Sequence, residues 1–314
     1  MTRRAGPTRG FVLVNALVLV AAMAAAAALL LSRAESGRMR LAAAQEADAL
    51  TAALDAYQAL GQAVLTRDQR SGNTDTLQEA WADPGTDASL DPFGVRLSGQ
   101  ITDAQARYNI NWLSVPEDPV ARPAFDRLLA RLGVSRQAGD VLAAFVSAQG
   151  PENRGAYAAT TPPTAPLGGP VLMLDQLATI PDLRPEDLSL LRPYLTALPE
   201  AAPLNVNTAP LGTLIAMLPQ ASAGRLATAL RARDRDPFPS VEAFFAAVGL
   251  PFESDDPEAA DPGRFAVASD WFMAETTARL ETETGPRQAT RQMLFRRLGT
   301  GAGVEVAWRV SRFD

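Results

Sequence analysis

From Phe11 to Leu31 the chain is apolar at every position except Asn15, an unbroken run of 21 residues. At about 1.5 Å per residue that run makes a helix about 30 Å long, the thickness of a bilayer's hydrocarbon core. Beyond it, Leu50, Leu54, Tyr57, Val64 and Leu65 recur close to a 3.6-residue period, and no proline interrupts before Pro84. The span is therefore predicted to continue as an amphipathic helix to about Thr66, half of it in lipid and half against a soluble domain. From Ser71 to Pro92 the text is rich in Gly, Asp, Asn and Pro, which reads as loop. Val95, Leu97, Gly99 and Ile101 then alternate with polar residues, as in a half-buried strand.

Between about Val120 and Val248 the periodicity is helical, in short segments divided by Pro and Gly. The apolar sets are Phe125, Leu128, Leu129 and Leu132; Val141, Leu142, Phe145 and Val146; Leu188, Leu191 and Leu195; Leu211, Leu214 and Leu218; Leu226 and Leu230; and Phe244, Phe245 and Val248. After an acidic stretch from Asp255 to Asp261, three strand-like segments follow near Trp271–Glu281, Gln288–Leu298 and Val304–Phe313, with Gly299–Gly303 as a hairpin between the last two. A strand, a long helical block and three more strands are best built as one sheet interrupted by a helical insertion, an α+β chain.

Composition narrows the chemistry. The 314 residues include no Cys and no His, which removes disulfides, thiolate or imidazole metal sites, and histidine-based nucleophile systems. Carboxylate acid/base work or an oxygen-ligand metal site would remain for an enzyme. The net charge of -6 and pI of about 4.9 argue against a broad nucleic-acid surface. Arg3, Arg4 and Arg9 precede the span and place the N-terminus in the cytoplasm by the positive-inside rule, with the bulk of the chain across the membrane. An alternative reading of the same segment is a secretory signal cleaved within Ala24–Ala34.

A basic leader ending in Gly10, Phe11 at the next position, a bilayer-length apolar run and a continuing amphipathic helix resemble the class III signal of type IV pilins and type II secretion pseudopilins. The segments LSGQITDAQARYNINWL (97–113), LDQLATIPDLRPEDLSLLRPYLTALPE (174–200) and LNVNTAP (204–210) resemble, within that group, the K-type minor pseudopilins of type II secretion. The resemblance implies a long helix packed on a pilin-type antiparallel sheet with a large inserted α-helical domain. It divides the chain into a leader at 1–10, a transmembrane segment at 11–31, the amphipathic helix and first part of the sheet at 32–115, the insertion at 116–262 and the closing strands at 263–314.

It also implies cleavage by prepilin peptidase between Gly10 and Phe11, with the apolar helix retained in the inner membrane and the rest in the periplasm. Removal of the leader takes three positive charges and moves the chain from -6 to -9. Asn15 becomes the fifth mature residue, where most members of these families carry Glu. The K subfamily lacks that Glu and is thought to sit at the pseudopilus tip with minor pseudopilins I and J, starting assembly and supporting export of folded proteins. A tolerated polar residue is the alternative reading of Asn15. Family members often bind calcium through acidic residues whose counterparts here are Ser147, Gln149 and Tyr157, so those ligands are missing and no metal or other cofactor is carried over.

Two other classes stay in view. Leu204–Phe245 resembles a helix-hairpin-helix DNA-binding module, which would make the protein a membrane-anchored uptake factor. Its hairpin Pro219–Ser222 lacks glycine, and its candidate basic face of Arg225, Arg231, Arg233 and Arg235 is interrupted by Asp234 and Asp236. Asp255, Asp256, Glu258 and Asp261 offer calcium-friendly oxygens without EF-hand spacing. The expectation is a structural protein with no catalytic residue, no cofactor and no nucleic-acid partner.

Overall fold

A computed structural model of the chain describes residues 9–83, 88–90, 94–166, 168–199, 201–254, 256, 259–282, 285–299 and 302–314. Helix α1 runs over Arg9–Asp68. After it come β1 (Ala88–Leu90), β2 (Val95–Asp103) and the two-residue β3 (Tyr108–Asn109). The helical stretch holds α2 (Ala121–Leu132), α3 (Arg136–Val146), α4 (Arg154–Ala158) and α5 (Pro185–Leu191), then the two-residue β4 (Leu195–Thr196) and β5 (Leu204–Asn205). It closes with α6 (Leu211–Met217), α7 (Ala223–Arg233) and α8 (Val241–Val248). The two-residue β6 (Phe265–Ala266) leads into three long strands, β7 (Trp271–Thr282), β8 (Gly285–Arg297) and β9 (Val304–Phe313).

The main sheet is antiparallel in the order β1-β2-β7-β8-β9. Asp103 at the end of β2 pairs with Phe272 at the start of β7, so the helical insertion leaves and re-enters at one end of the sheet. Two short parallel pairings secure it there and within itself, Leu204 with Phe265 and Tyr108 with Leu195. The expected interrupted sheet is therefore present.

The second half of α1 lies across one face of this sheet. Leu50, Ala53 and Leu54 are buried with Val95, Leu97, Ala278 and Ala289; further along, Leu65 is buried with Trp81, Ile101, Phe272, Met293 and Phe295. Each of the three leucines on α1, Leu50, Leu54 and Leu65, contributes about 1.5–3 kcal/mol on burial. The helix sits close because small residues face it. A Cβ on Gly99 of β2 would clash with the edge of the Tyr57 ring at its Cζ, and one on Gly61 of α1 would lie 3.0 Å from Phe295. The insertion has its own core, in which Tyr108 packs edge-on to Trp112 and stacks on Phe125 at centroid separations of 5.0 and 5.3 Å.

Local departures from the sequence reading have identifiable causes. The 71–92 segment is more than loop, since β1 pairs there with β2 and Trp81 is buried with its Nε1 donating to Glu79 at 2.6 Å. Three residues are too few to show periodicity. Leu195, expected on a helix with Leu188 and Leu191, lies in β4, because Pro193 follows α5 and the chain turns extended. The Gly299–Gly303 connection joins β8 to β9 as expected, with Leu298 N–H donating to Gly303 O at 2.9 Å; positions 300 and 301 lie outside the described residues.

Candidate assembly surface

From Leu13 to Leu31 α1 packs against nothing else among the described residues. Leu13, Leu17, Met23 and Leu31 are 66–73 % exposed, and the first carboxylate on the helix is Glu35. This is one helix long and apolar enough to cross a bilayer. Gly10 and Phe11 lie in its first turn, and residues 1–8 of the expected leader lie outside the described residues. Asn15 is on the exposed surface, and its amide makes no hydrogen bond among the described residues.

The docked half is held by ion pairs as well as by apolar contact. Glu46, Asp55 and Asp68 on α1 meet Arg287, Arg291 and Arg297 on β8 at 3.5, 2.5 and 2.5 Å. The two ladders match in length. From Glu46 to Asp68 the helix rises about 33 Å, and from Arg287 to Arg297 an extended strand advances about the same distance. Arg291 is buried and also donates to Ser311 Oγ at 2.8 Å, tying β9 to the same ladder.

Its last rung opens into a buried polar node where helix, sheet and insertion meet. Arg297 donates to Asp68, Asp75 and the Ser269 carbonyl. Asp75 in turn accepts from the Ser269 backbone N–H at 2.7 Å. Asp103 accepts from Thr208 Oγ1, Ser269 Oγ, Asn205 Nδ2 and the Gln105 N–H at 2.5–3.0 Å. Burial pushes the Asp103 carboxyl up to about 6, against the pull of those donors. Burial also raises Asp68 and Glu79. Oxygens of Asp68, Asp75 and Glu79 lie within 4.8 Å of one another, and the Arg297 guanidinium bridges the first two. The cation that this cluster holds is an arginine.

Two Asn-x-Asn pairs, present in the quoted sequence segments but given no role there, are the clamps of the insertion. Asn111 donates to Val171 O and Leu198 O at 2.8 Å each and accepts from Val171 N–H. Asn109 donates to Pro199 O and accepts from Leu198 N–H. In the second pair, Asn205 donates to Asp75 O and Ser269 Oγ, while Asn207 exchanges both amide bonds with the backbone of Phe238. A carboxamide carries a donor and an acceptor in peptide geometry, so Asn109, Asn111 and Asn207 each substitute for a missing strand partner between segments 31–90 residues apart, while Asn205 reaches out through its Nδ2 and turns its Oδ1 to the Asn207 N–H. The recurrence of Asn in Tyr108–Trp112 and Leu204–Thr208 was the signal available in the sequence.

The rival chemistries fare differently. The hairpin between α6 and α7 exists, but Arg233 is buried and donates to Val206 O and Ala209 O at 2.8 Å, so it leaves the candidate basic face. Asp255 and Glu258 lie outside the described residues, while Asp261 accepts from Gly263 N–H within its own turn. At the calcium-type positions, Ser147 Oγ donates to Ala144 O and the Tyr157 ring stacks on Phe145.

Comparison with known proteins agrees with this arrangement. Two family models, both described as type II secretion system protein K, match residues 106–200 and 204–263. The type II secretion system protein K of Pseudomonas aeruginosa is 36% identical over 205 residues, covering 59% of this chain and 60% of the relative. The match thus spans about three fifths of that relative's length. One chain of the crystal structure of the GspK-GspI-GspJ complex from the enterotoxigenic Escherichia coli type 2 secretion system shares the fold, with a TM-score of 0.68 at 19% identity over 87% of this chain and 99% of that one. With the helix, the interrupted sheet and both clamp segments in place, residues 106–200 and 204–263 match the type II secretion system protein K family.

Proposed function

We propose that the protein is a minor pseudopilin that caps the pseudopilus of a type II secretion system. The observation that carries this reading is α1 itself. From Leu13 to Leu31 it is bare, free of carboxylates and apolar but for Asn15, and it runs without a break into a half fixed to the sheet by three ion pairs. Such a helix can bundle with the helices of other subunits in or above the membrane while its head rides at one end.

Processing at Gly10–Phe11 would expose an amine at Phe11 that can pair with a Glu of a neighbouring helix. Asn15 asks for no such amine in return, because a carboxylate in hydrocarbon needs a cation and an amide does not. A subunit of this kind fits the one position with no neighbour beyond it. The head supports the same placement, since the insertion stands at one end of the sheet as bulk that would obstruct a further subunit. The partners would be the I and J pseudopilins, by analogy with the complex whose chain shares the fold. The cytoplasmic N-terminus expected from Arg3, Arg4 and Arg9 rests on the pseudopilin-type leader and not on charge bias alone, because Arg33, Arg38 and Arg40 beyond the span equal those three in number.

The test is to mix the three periplasmic heads and measure the mass by light scattering. A complex with one copy of each is expected; a head that stays monomeric at tens of micromolar, or polymerises alone, would refute the assignment.

A further inference from the structure

Beyond the apolar run, Arg33, Arg38 and Arg40 stand exposed on α1, and no ion pair joins them to a carboxylate among the described residues. Six arginines and one glutamate precede residue 41, so the remainder of a chain of net charge -6 carries -11. A short basic band thus separates an apolar span from a strongly acidic head. From this we infer that Arg33, Arg38 and Arg40 form a collar that binds the phosphates of anionic phospholipids at the membrane surface, holding the helix at fixed depth while the acidic head is kept off the same surface.

Three features favour lipid over a partner protein. The first is height. At 1.5 Å per residue the three Cα atoms lie about 3, 10 and 14 Å beyond Leu31, and the headgroup layer is about 5–8 Å thick on each side. Arg33 is rooted within that layer, and the other two are rooted just above it. The second is direction. Side chains on a helix tilt toward its N-terminus, which here is the membrane, so Arg38 and Arg40 lean back toward the phosphates with their aliphatic stems along the helix, while Arg33 is already rooted at the level of the phosphates.

The third is distribution around the axis. At about 100° per residue, Arg40 is about 20° from Arg33, whereas Arg38 is about 140° away. A partner helix would be met on one side; charges on nearly opposite sides suit a medium that surrounds the helix. The next acid along, Glu46, is already taken by Arg287 at 3.5 Å and marks where the head begins. Above that point α1 turns acidic, with Asp48 and Asp55, which an anionic surface repels.

The inference rests on residues 11–31 spanning the bilayer, and the experiment separates the two. The chain starting at Phe11 is reconstituted in phosphatidylcholine vesicles doped with spin-labelled phosphatidylglycerol or phosphatidylcholine. Resistance to alkaline carbonate extraction reports insertion, and the motionally restricted lipid fraction reports selectivity. Wild type should be inserted and enrich phosphatidylglycerol about threefold at low salt, with the enrichment fading at 0.5 M salt. The R33Q/R38Q/R40Q variant should insert equally well and show no preference, and 10 mM inorganic phosphate should not compete. Extraction of wild type by carbonate would overturn the spanning reading and the collar with it. Inserted wild type without lipid preference, or a triple variant that keeps it while losing complex formation with the I and J heads, would overturn the collar alone.

Discussion

Arg297→Met removes the cation that bridges Asp68 and Asp75 at the node where α1, the sheet and the insertion meet. The guanidinium is 6 % exposed, bonds Asp75 and Asp68 at 2.5 Å each and lies 4.4 Å from the centroid of the Phe272 ring. Methionine fills a similar volume against Phe272 but leaves Asp75, 3 % exposed, and Asp68, 15 % exposed, without a counter-charge. Breaking a buried pair from one side costs about 3–5 kcal/mol. Against a typical stability of about 5–15 kcal/mol, that is a large share.

The pH dependence of the loss identifies its cause. With Arg297 gone, Asp68 keeps the burial that raises its carboxyl and loses the guanidinium that lowers it, so it takes up a proton more readily in the folded state than in the unfolded one. The folded variant then binds more protons near pH 5, and stability must rise as pH falls. Urea unfolding of the head at pH 7.5 and pH 5 should show a loss of about 3 kcal/mol or more at the higher pH and a clearly smaller loss at the lower. Adding Asp75→Asn should recover part of it. A loss below about 1 kcal/mol at pH 7.5, or one independent of pH, would show that the ion pairs at this node do not carry the junction.

Gly99→Val should destabilise the head by about 1–3 kcal/mol by pushing Tyr57 off β2, measured by urea midpoint; a neutral result would mean that α1 does not sit as close as described. Asn111→Ala strands the Val171 N–H and the carbonyls of Val171 and Leu198, and should lower the thermal midpoint by a loss of about 2–4 kcal/mol, whereas Asn15→Ala should leave head stability unchanged. Asp103 is raised to about 6, so the folded state holds a proton that the unfolded state has released from about pH 4 upward. Its contribution is present below that pH and is lost as pH rises through 6; in Asp103→Asn that fall in stability should disappear, and an unchanged slope between pH 4 and 7 would contradict it.

What the sequence disclosed depended on how far each feature repeats. The span and α1 were legible because 21 apolar residues and a 3.6-residue period are long signals, and the three closing strands alternate over ten or more residues. The two-residue pairings of β3 with β4 and β5 with β6 were not, since nothing periodic fits in two residues. The node was invisible for another reason. Asp68, Asp75, Asp103 and Arg297 are scattered over 229 residues, and only the closed sheet brings them together. Arg233 looked like a surface cation because burial against two carbonyls leaves no mark in the local text. The clamp asparagines were visible as Asn-x-Asn, but their partners lie on segments remote in sequence.

The account turns on an apolar helix that is kept after the leader is removed, so the most direct measurement is the N-terminal sequence of the protein extracted from membranes. Phe11 should be the first residue, and Gly10→Leu should leave the leader attached because a bulky side chain blocks access to the bond. A mature terminus within Ala24–Ala34 would mean that the span is discarded as a secretory signal, and neither a pseudopilin helix nor a capping role would survive it.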